Sequence, residues 1–164
     1  MIILNKKLFK DVIMTNEKFK KFIMLSISFA FAIVSLTICI IYKVKTTDIN
    51  KPDIFIIEGS LLKNDYTYRC CYMMQRLPNN KNNLEEKIKS FISDNHIPEA
   101  YPNTTEDVII YFMVPSWKLS ISFEETIDNN IDSYIESNCI LSVKFSGSET
   151  EYFYNDKNVK KFIK

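Results

Sequence analysis

Charge vanishes from this chain between Phe22 and Tyr42, leaving a run of 21 uncharged residues with lysine clusters on both sides. At about 1.5 Å of rise per residue, a helix of that length crosses the roughly 30 Å hydrocarbon core of a bilayer. Ser26, Ser28, Ser35 and Thr37 can return their hydroxyls to helical carbonyls, so they cost little in lipid. A core helix of a soluble protein is usually shorter and amphipathic, so residues 22–42 predict a membrane span. The hydrophobic region of a cleaved signal peptide runs roughly 7–15 residues and ends at small residues. Here Ala30-Phe31-Ala32 lies in mid-run, which predicts an uncleaved anchor. Leu36-Thr37-Ile38-Cys39 lacks the small residue that lipid attachment at Cys39 would need.

Beyond the anchor the rhythm changes. Residues 43–53 read as a polar linker containing Pro52, and residues 54–164 as one domain. Ile54 to Ile57 predicts a buried strand ending near Gly59. Tyr66, Tyr68, Cys70, Tyr72 and Met74 alternate with Thr67, Arg69, Cys71, Met73 and Gln75, a period of two that predicts a half-buried strand with an aromatic face. Leu84, Ile88, Phe91 and Ile92 share one helical face. Asn83 and Glu86 stand in capping-box spacing before them, and Asp94, Asn95 and Pro98 stop the helix.

Val108 to Val114 is apolar throughout, as a central strand covered on both faces would be, and Pro115 ends it. Trp117, Leu119, Ile121 and Phe123 alternate with polar residues and predict another strand, through Glu124. Ile127, Ile131, Tyr134 and Ile135 recur at helical spacing, in a helix weakened by its Asn, Asp and Ser content. Ile140–Phe145 and Glu151–Tyr154 flank Ser146-Gly147-Ser148-Glu149 as a hairpin, and Lys157–Lys164 can add a helical turn. Short connections between neighbouring strands imply an α+β fold, with a mostly antiparallel sheet and two helices packed on one face.

Charge adds a direction to this plan. Residues 1–21, read as a basic cytoplasmic tail, carry six lysines against Asp11 and Glu17, a net of +4. On the far side only Lys43, Lys45 and Lys51 lie close. The positive-inside rule then places the N-terminus in the cytoplasm and the domain outside, as in a single-pass signal-anchor protein of a bacterial envelope. From Thr46 onward 13 basic residues face 18 acidic ones, a net of −5. An acidic domain with no basic patch argues against nucleic acid as a partner.

The motifs for chemistry are sparse. With only two glycines in the chain, Gly59 and Gly147, loops that cradle phosphates are absent and no nucleotide cofactor is expected. One histidine, His96, and no C-x-x-C argue against a zinc site; His96 reads as a capping residue at a helix C-terminus. Cys70, Cys71 and Cys139 read either as small buried hydrophobes or as sources of one disulfide, with Cys70–Cys139 the better pairing because Cys70 lies on the aromatic face. Glu124, Asp128, Asp132 and Glu136 follow at intervals of four, a stripe along one side of the second soluble helix. Such repulsion destabilises an isolated helix by a few tenths of a kcal/mol per pair. A docking surface for a basic partner or a weak divalent-cation site would explain it, and a solvated face is the plainer explanation. Asn103-Thr104-Thr105 fits a glycosylation sequon, relevant only in a eukaryotic secretory pathway.

The expectation is therefore a non-enzymatic, membrane-anchored module that binds a protein partner at the cell envelope, in the manner of small anchored immunity proteins. The alternative is a small envelope enzyme using carboxylates or an exposed thiol, with Arg69 as the one nearby group able to activate Cys70 or Cys71.

Overall fold

The computed structural model describes residues 2–57, 60–64, 67–97, 107–121 and 131–163 and, within them, every side chain except those of 2–15 and 62–64. The chain divides into two compact units, Met1–Tyr42 and Lys43–Lys164.

Helix α1 (Ile2–Thr46) forms the first unit and lends its last turn to the second. Its stretch from Asn16 is long and apolar enough to cross a membrane, and the most apolar part has no buried residue. Removing exposed apolar side chains from water is favourable, which fits a membrane anchor or a signal sequence. Thr37 Oγ1 donates to the Ile33 carbonyl at 2.9 Å, so this hydroxyl is satisfied within the helix.

Among the described residues, the second unit is built on six strands in five positions. These are β1 (Ile54–Ile56), β2 (Leu62–Asn64), β3 (Thr67–Met74), β4 (Asp107–Met113), β5 (Cys139–Ser146) and β6 (Glu149–Tyr154), in the order β1-β3-β4-β5-β6. β1 and β2 share one edge of β3, pairing with Tyr72–Met74 and Thr67–Arg69 respectively. Between them the buried hydroxyl of Ser60 replaces a backbone group. It accepts from the Cys71 N–H at 3.0 Å and lies 3.2 Å from the Cys71 carbonyl. This satisfies Cys71 where the edge strand breaks.

The sheet is mixed, which corrects the mostly antiparallel expectation. β3 and β4 run parallel, Thr67 opposite Asp107 through Met73 opposite Met113, and the other pairs are antiparallel. Parallel neighbours need a crossover, and here it contains α2 (Lys81–Asp94). The N-cap of α2 is Asn80, three residues before the expected Asn83; its side chain accepts from the Asn83 N–H at 2.8 Å. A complete C-terminal motif closes the helix. His96 is left-handed at φ +50, the His96 N–H donates to Ser93, and the Ile97 N–H donates to Ile92 with Ile97 buried.

The helices cover both faces, not one. Leu84, Ile88 and Ile92 of α2 and Val159 of α4 (Asp156–Phe162) pack with Tyr68, Cys70, Met74, Ile110, Phe112 and Val143. On the other side Ile131 of α3 (Ile131–Asn138) joins Cys71, Met73, Met113, Leu119 and Cys139. β3 therefore buries residues on both faces, and the half-buried strand with a single aromatic face is revised. The strand expected over 117–124 is a turn in its described part, 117–121, and the remainder lies outside the described residues. Its alternation arises because Leu119 and Ile121 are plugged into the domain, which mimics strand periodicity. The hairpin turn is Gly147-Ser148, with Gly147 at φ +58 where a side chain is disfavoured.

A non-glycine residue in the left-handed region carries a steric cost that glycine lacks. His96→Gly should raise stability by roughly 0.5–1 kcal/mol in urea unfolding of the detergent-solubilised chain. A loss would show that the imidazole itself contributes more than the backbone strain removes.

Candidate functional site

Of the expected residues that are described, Asp132, Glu136 and Cys139 belong to the α3 side of the sheet and Cys70 to the α2 side. Cross-strand register forms a row across the α3 side: Cys71 opposite Tyr111, Tyr111 opposite Ser142, Ser142 opposite Phe153. Directly opposed residues share a face, so these side chains lie side by side. Ile131, Tyr134 and Ile135 of α3 pack over the Cys71 and Tyr111 end. Phe153, at the β6 end, keeps 51% of its surface exposed. Between α3 and β6 opens a cleft of about 390 Å³ lined by Tyr111, Ile135, Glu136, Ser142, Phe153 and Asp156, among others.

The acidic stripe meets this cleft at one residue. Glu124 and Asp128 lie outside the described residues. Asp132 is exposed and pairs with Arg69 at 3.7 Å, a solvated contact worth about 0–1 kcal/mol. Glu136 is exposed at the cleft, and among the described residues its carboxylate has no ion-pair partner. The carbonyl of Glu136 accepts from Asn158 Nδ2 at 3.0 Å, and the same buried amide donates to the Cys139 carbonyl at 2.7 Å. Asn158 thus locks α4 to the α3–β5 junction and fixes where Glu136 stands.

Two cations of this face, Arg69 and Lys144, are matched by carboxylates. One row along, Lys144 pairs with Asp107 at 2.9 Å, and Ser146 Oγ donates to Asp107 at 2.6 Å. The Ser146 hydroxyl and then Lys144 hold the Asp107 carboxyl below its ordinary range. With Arg69 paired to Asp132 and Asp156 paired to Lys81 at 3.5 Å, Glu136 carries the charge left without an ion pair among the described residues lining the cleft. A larger cleft of about 510 Å³ lies between residues 52–54 and α2. There Lys87 binds Asp53 and the Arg76 carbonyl, and Ser90 donates to Asp94, so its charged groups are satisfied internally.

The cysteines behave as core residues. Cys70, Cys71 and Cys139 are buried thiols outside any disulfide. Cys70 belongs to the α2 side and Cys139 to the α3 side, so the expected Cys70–Cys139 bridge is not formed. Cys71 and Cys139 share a face, but β4 separates their strands. Two strand spacings of about 4.8 Å exceed the roughly 7 Å Cα limit for a disulfide. Burial pushes the Cys71 thiol far up, and Cys70 and Cys139 add to it, overriding the opposing pull of Arg69. Burial also pushes Cys139 up to about 12. Neither thiol carries the thiolate that nucleophilic chemistry requires. His96 lies at the end of α2, on the backbone motif described above. Among the described residues no group of three or more His, Cys, Asp or Glu is placed to hold a metal ion.

Phe153 and the α3–β6 cleft were not singled out by the sequence, where Phe153 is one alternating aromatic among several. The only available signal was the hairpin parity, which places 142 and 153 on one face. No protein-family model, curated protein or solved structure matches the chain.

A thiol whose native pKa is raised favours folding while the unfolded chain also keeps its proton. That contribution is complete below the ordinary value of 9.0 and is lost as pH rises toward about 12 for Cys139. Stability of the solubilised chain should fall over this alkaline window, and Cys139→Ala should flatten the fall in pH-dependent unfolding. An unchanged alkaline slope in the variant would show that Cys139 is not buried as a thiol.

Proposed function

We propose that the chain is a non-enzymatic, single-pass membrane protein whose C-terminal domain binds a protein partner through the α3–β6 cleft. The observation that carries this is Phe153, half exposed on the sheet face and next to a cleft whose unpaired charge belongs to Glu136. An aromatic surface with one sign of charge fits a partner segment that offers an apolar anchor flanked by Lys or Arg. The negative charge favours encounter with basic partners and disfavours acidic ones. The buried, high-pKa thiols speak for binding over thiol chemistry. The lysine excess before the apolar run favours a cytoplasmic N-terminus and a domain outside the cell, where an immunity-like role at the envelope would be exercised.

A photo-crosslinking amino acid at position 153 should trap a discrete adduct in intact cells. Glu136→Lys should abolish it, and Ser93→Lys, exposed on α2, should leave it intact. An adduct indifferent to Glu136→Lys would remove the cleft from partner binding.

Ser93→Cys supplies an exposed thiol where the native domain cysteines are buried. A membrane-impermeant maleimide should label it without cell lysis. Labelling only after lysis would put the domain in the cytoplasm.

A further inference from the structure

We infer that the turn carrying Trp117 and Lys118, together with Lys43, Lys45 and Lys51, lies in the headgroup layer of the bilayer and binds anionic lipid, on the premise that α1 spans that bilayer. The turn is built to present its tip. Pro115 ends the strand segment, the Ser116 N–H donates to the Leu119 carbonyl at 2.7 Å, and Ser116 Oγ accepts from the Leu119 N–H at 3.1 Å. Leu119 and Ile121 are plugged into the domain, leaving Trp117 50% exposed and Lys118 exposed. A large aromatic ring held outward by a closed turn is not a residue that failed to find the core.

The location of this turn names its occupant. The Ile121 N–H donates to the Lys45 carbonyl at 2.7 Å, Lys51 Nζ donates to the Ile121 carbonyl at 3.2 Å, and Lys45 Nζ lies 4.8 Å from the centre of the Trp117 ring. Lys45 follows Tyr42, the last residue of the uncharged run, by three positions on one continuous helix, about 4.5 Å of rise. Each headgroup layer is roughly 5–8 Å deep, so Lys45 and the groups it touches fall within it. Trp suits this layer because its ring is apolar and its N–H is wet. Lysines next to a span attract anionic headgroups; Lys43, Lys45, Lys51 and Lys118 supply four, and the carboxylate of nearby Asp48 accepts from the Asn50 N–H at 2.9 Å. Ile49, 83% exposed between Lys45 and Lys51, gives the same collar a second apolar contact.

Trp117 is the only tryptophan in the chain, so its emission reports this site alone. The full chain is reconstituted into phosphatidylcholine vesicles with and without phosphatidylglycerol, some containing a lipid with a nitroxide high on the acyl chain. The expected result is strong quenching by the lipid-borne nitroxide and several-fold weaker quenching by aqueous iodide than in the urea-unfolded chain. Phosphatidylglycerol should deepen the lipid quenching, and Lys45→Gln with Lys118→Gln should abolish that increment. Protein that floats with the vesicles while Trp117 answers to iodide and not to the nitroxide refutes the headgroup placement and leaves the anchor standing. A chain that does not float refutes the anchor and the placement together. Equal quenching in both vesicle types refutes the anionic preference.

Discussion

Two adjacent strands that run in the same direction cannot be joined by a turn; the chain must travel back along the sheet before the second begins. β3 and β4 impose this on the domain, and α2 lies in the return. A crossover helix has one apolar stripe to bury, and the sheet is the surface available to it. Leu84, Ile88 and Ile92 settle over Cys70, Ile110 and Phe112, while Phe91 meets Tyr72 and Phe112 edge-on at 5.2 and 6.0 Å between ring centres. Because β3 and β4 are interior strands, their other face also needs cover, and α3 with Leu119 and Ile57 supplies part of it. The edges, β1 with β2 on one side and β6 on the other, are left to antiparallel pairing.

A few polar side chains carry more of this arrangement than their number suggests. Ser60 completes the ladder to Cys71 where the edge strand is interrupted. Asn158 holds the carbonyls of Glu136 and Cys139 and joins the last helix to the α3–β5 corner. Gln75 accepts from the Asp48 N–H and donates to the carbonyls of Lys51 and Pro52, fastening the segment after α1 to the end of β3. Ser60 and Asn158 satisfy buried backbone groups, which makes their contacts costly to remove. The segment that reads as a linker from its polarity is thus held in place, and the turn at Trp117 is held with it.

Functional asymmetry follows from how the α3 side is finished. Its Arg69 and Lys144 are neutralised by Asp132 and Asp107, and its thiols are buried and protonated. What remains available is an aromatic ring at Phe153, the carboxylate of Glu136 and an open volume between them. The proposed recognition role rests on that combination. The basic, tryptophan-bearing turn beside Lys45 has the opposite sign and suits a different phase, the lipid headgroups.

The apolar run, the α2 stripe, the β4 run and the β5–β6 hairpin were legible in the sequence because each is a local periodicity or an uninterrupted length. Asn158 and Ser60 were not, since an amide or hydroxyl declares its partners only when distant carbonyls arrive. The sequence by itself determined α2, the β3 and β4 runs, the β5–β6 hairpin and that one helix is apolar enough for a membrane. Tertiary structure alone decided that β3 and β4 pair in parallel, that Cys70 and Cys139 are on opposite faces, and that 117–121 is a turn with strand-like alternation. Period and propensity are properties of neighbours along the chain, whereas pairing direction, face and cover depend on segments tens of residues apart meeting in space.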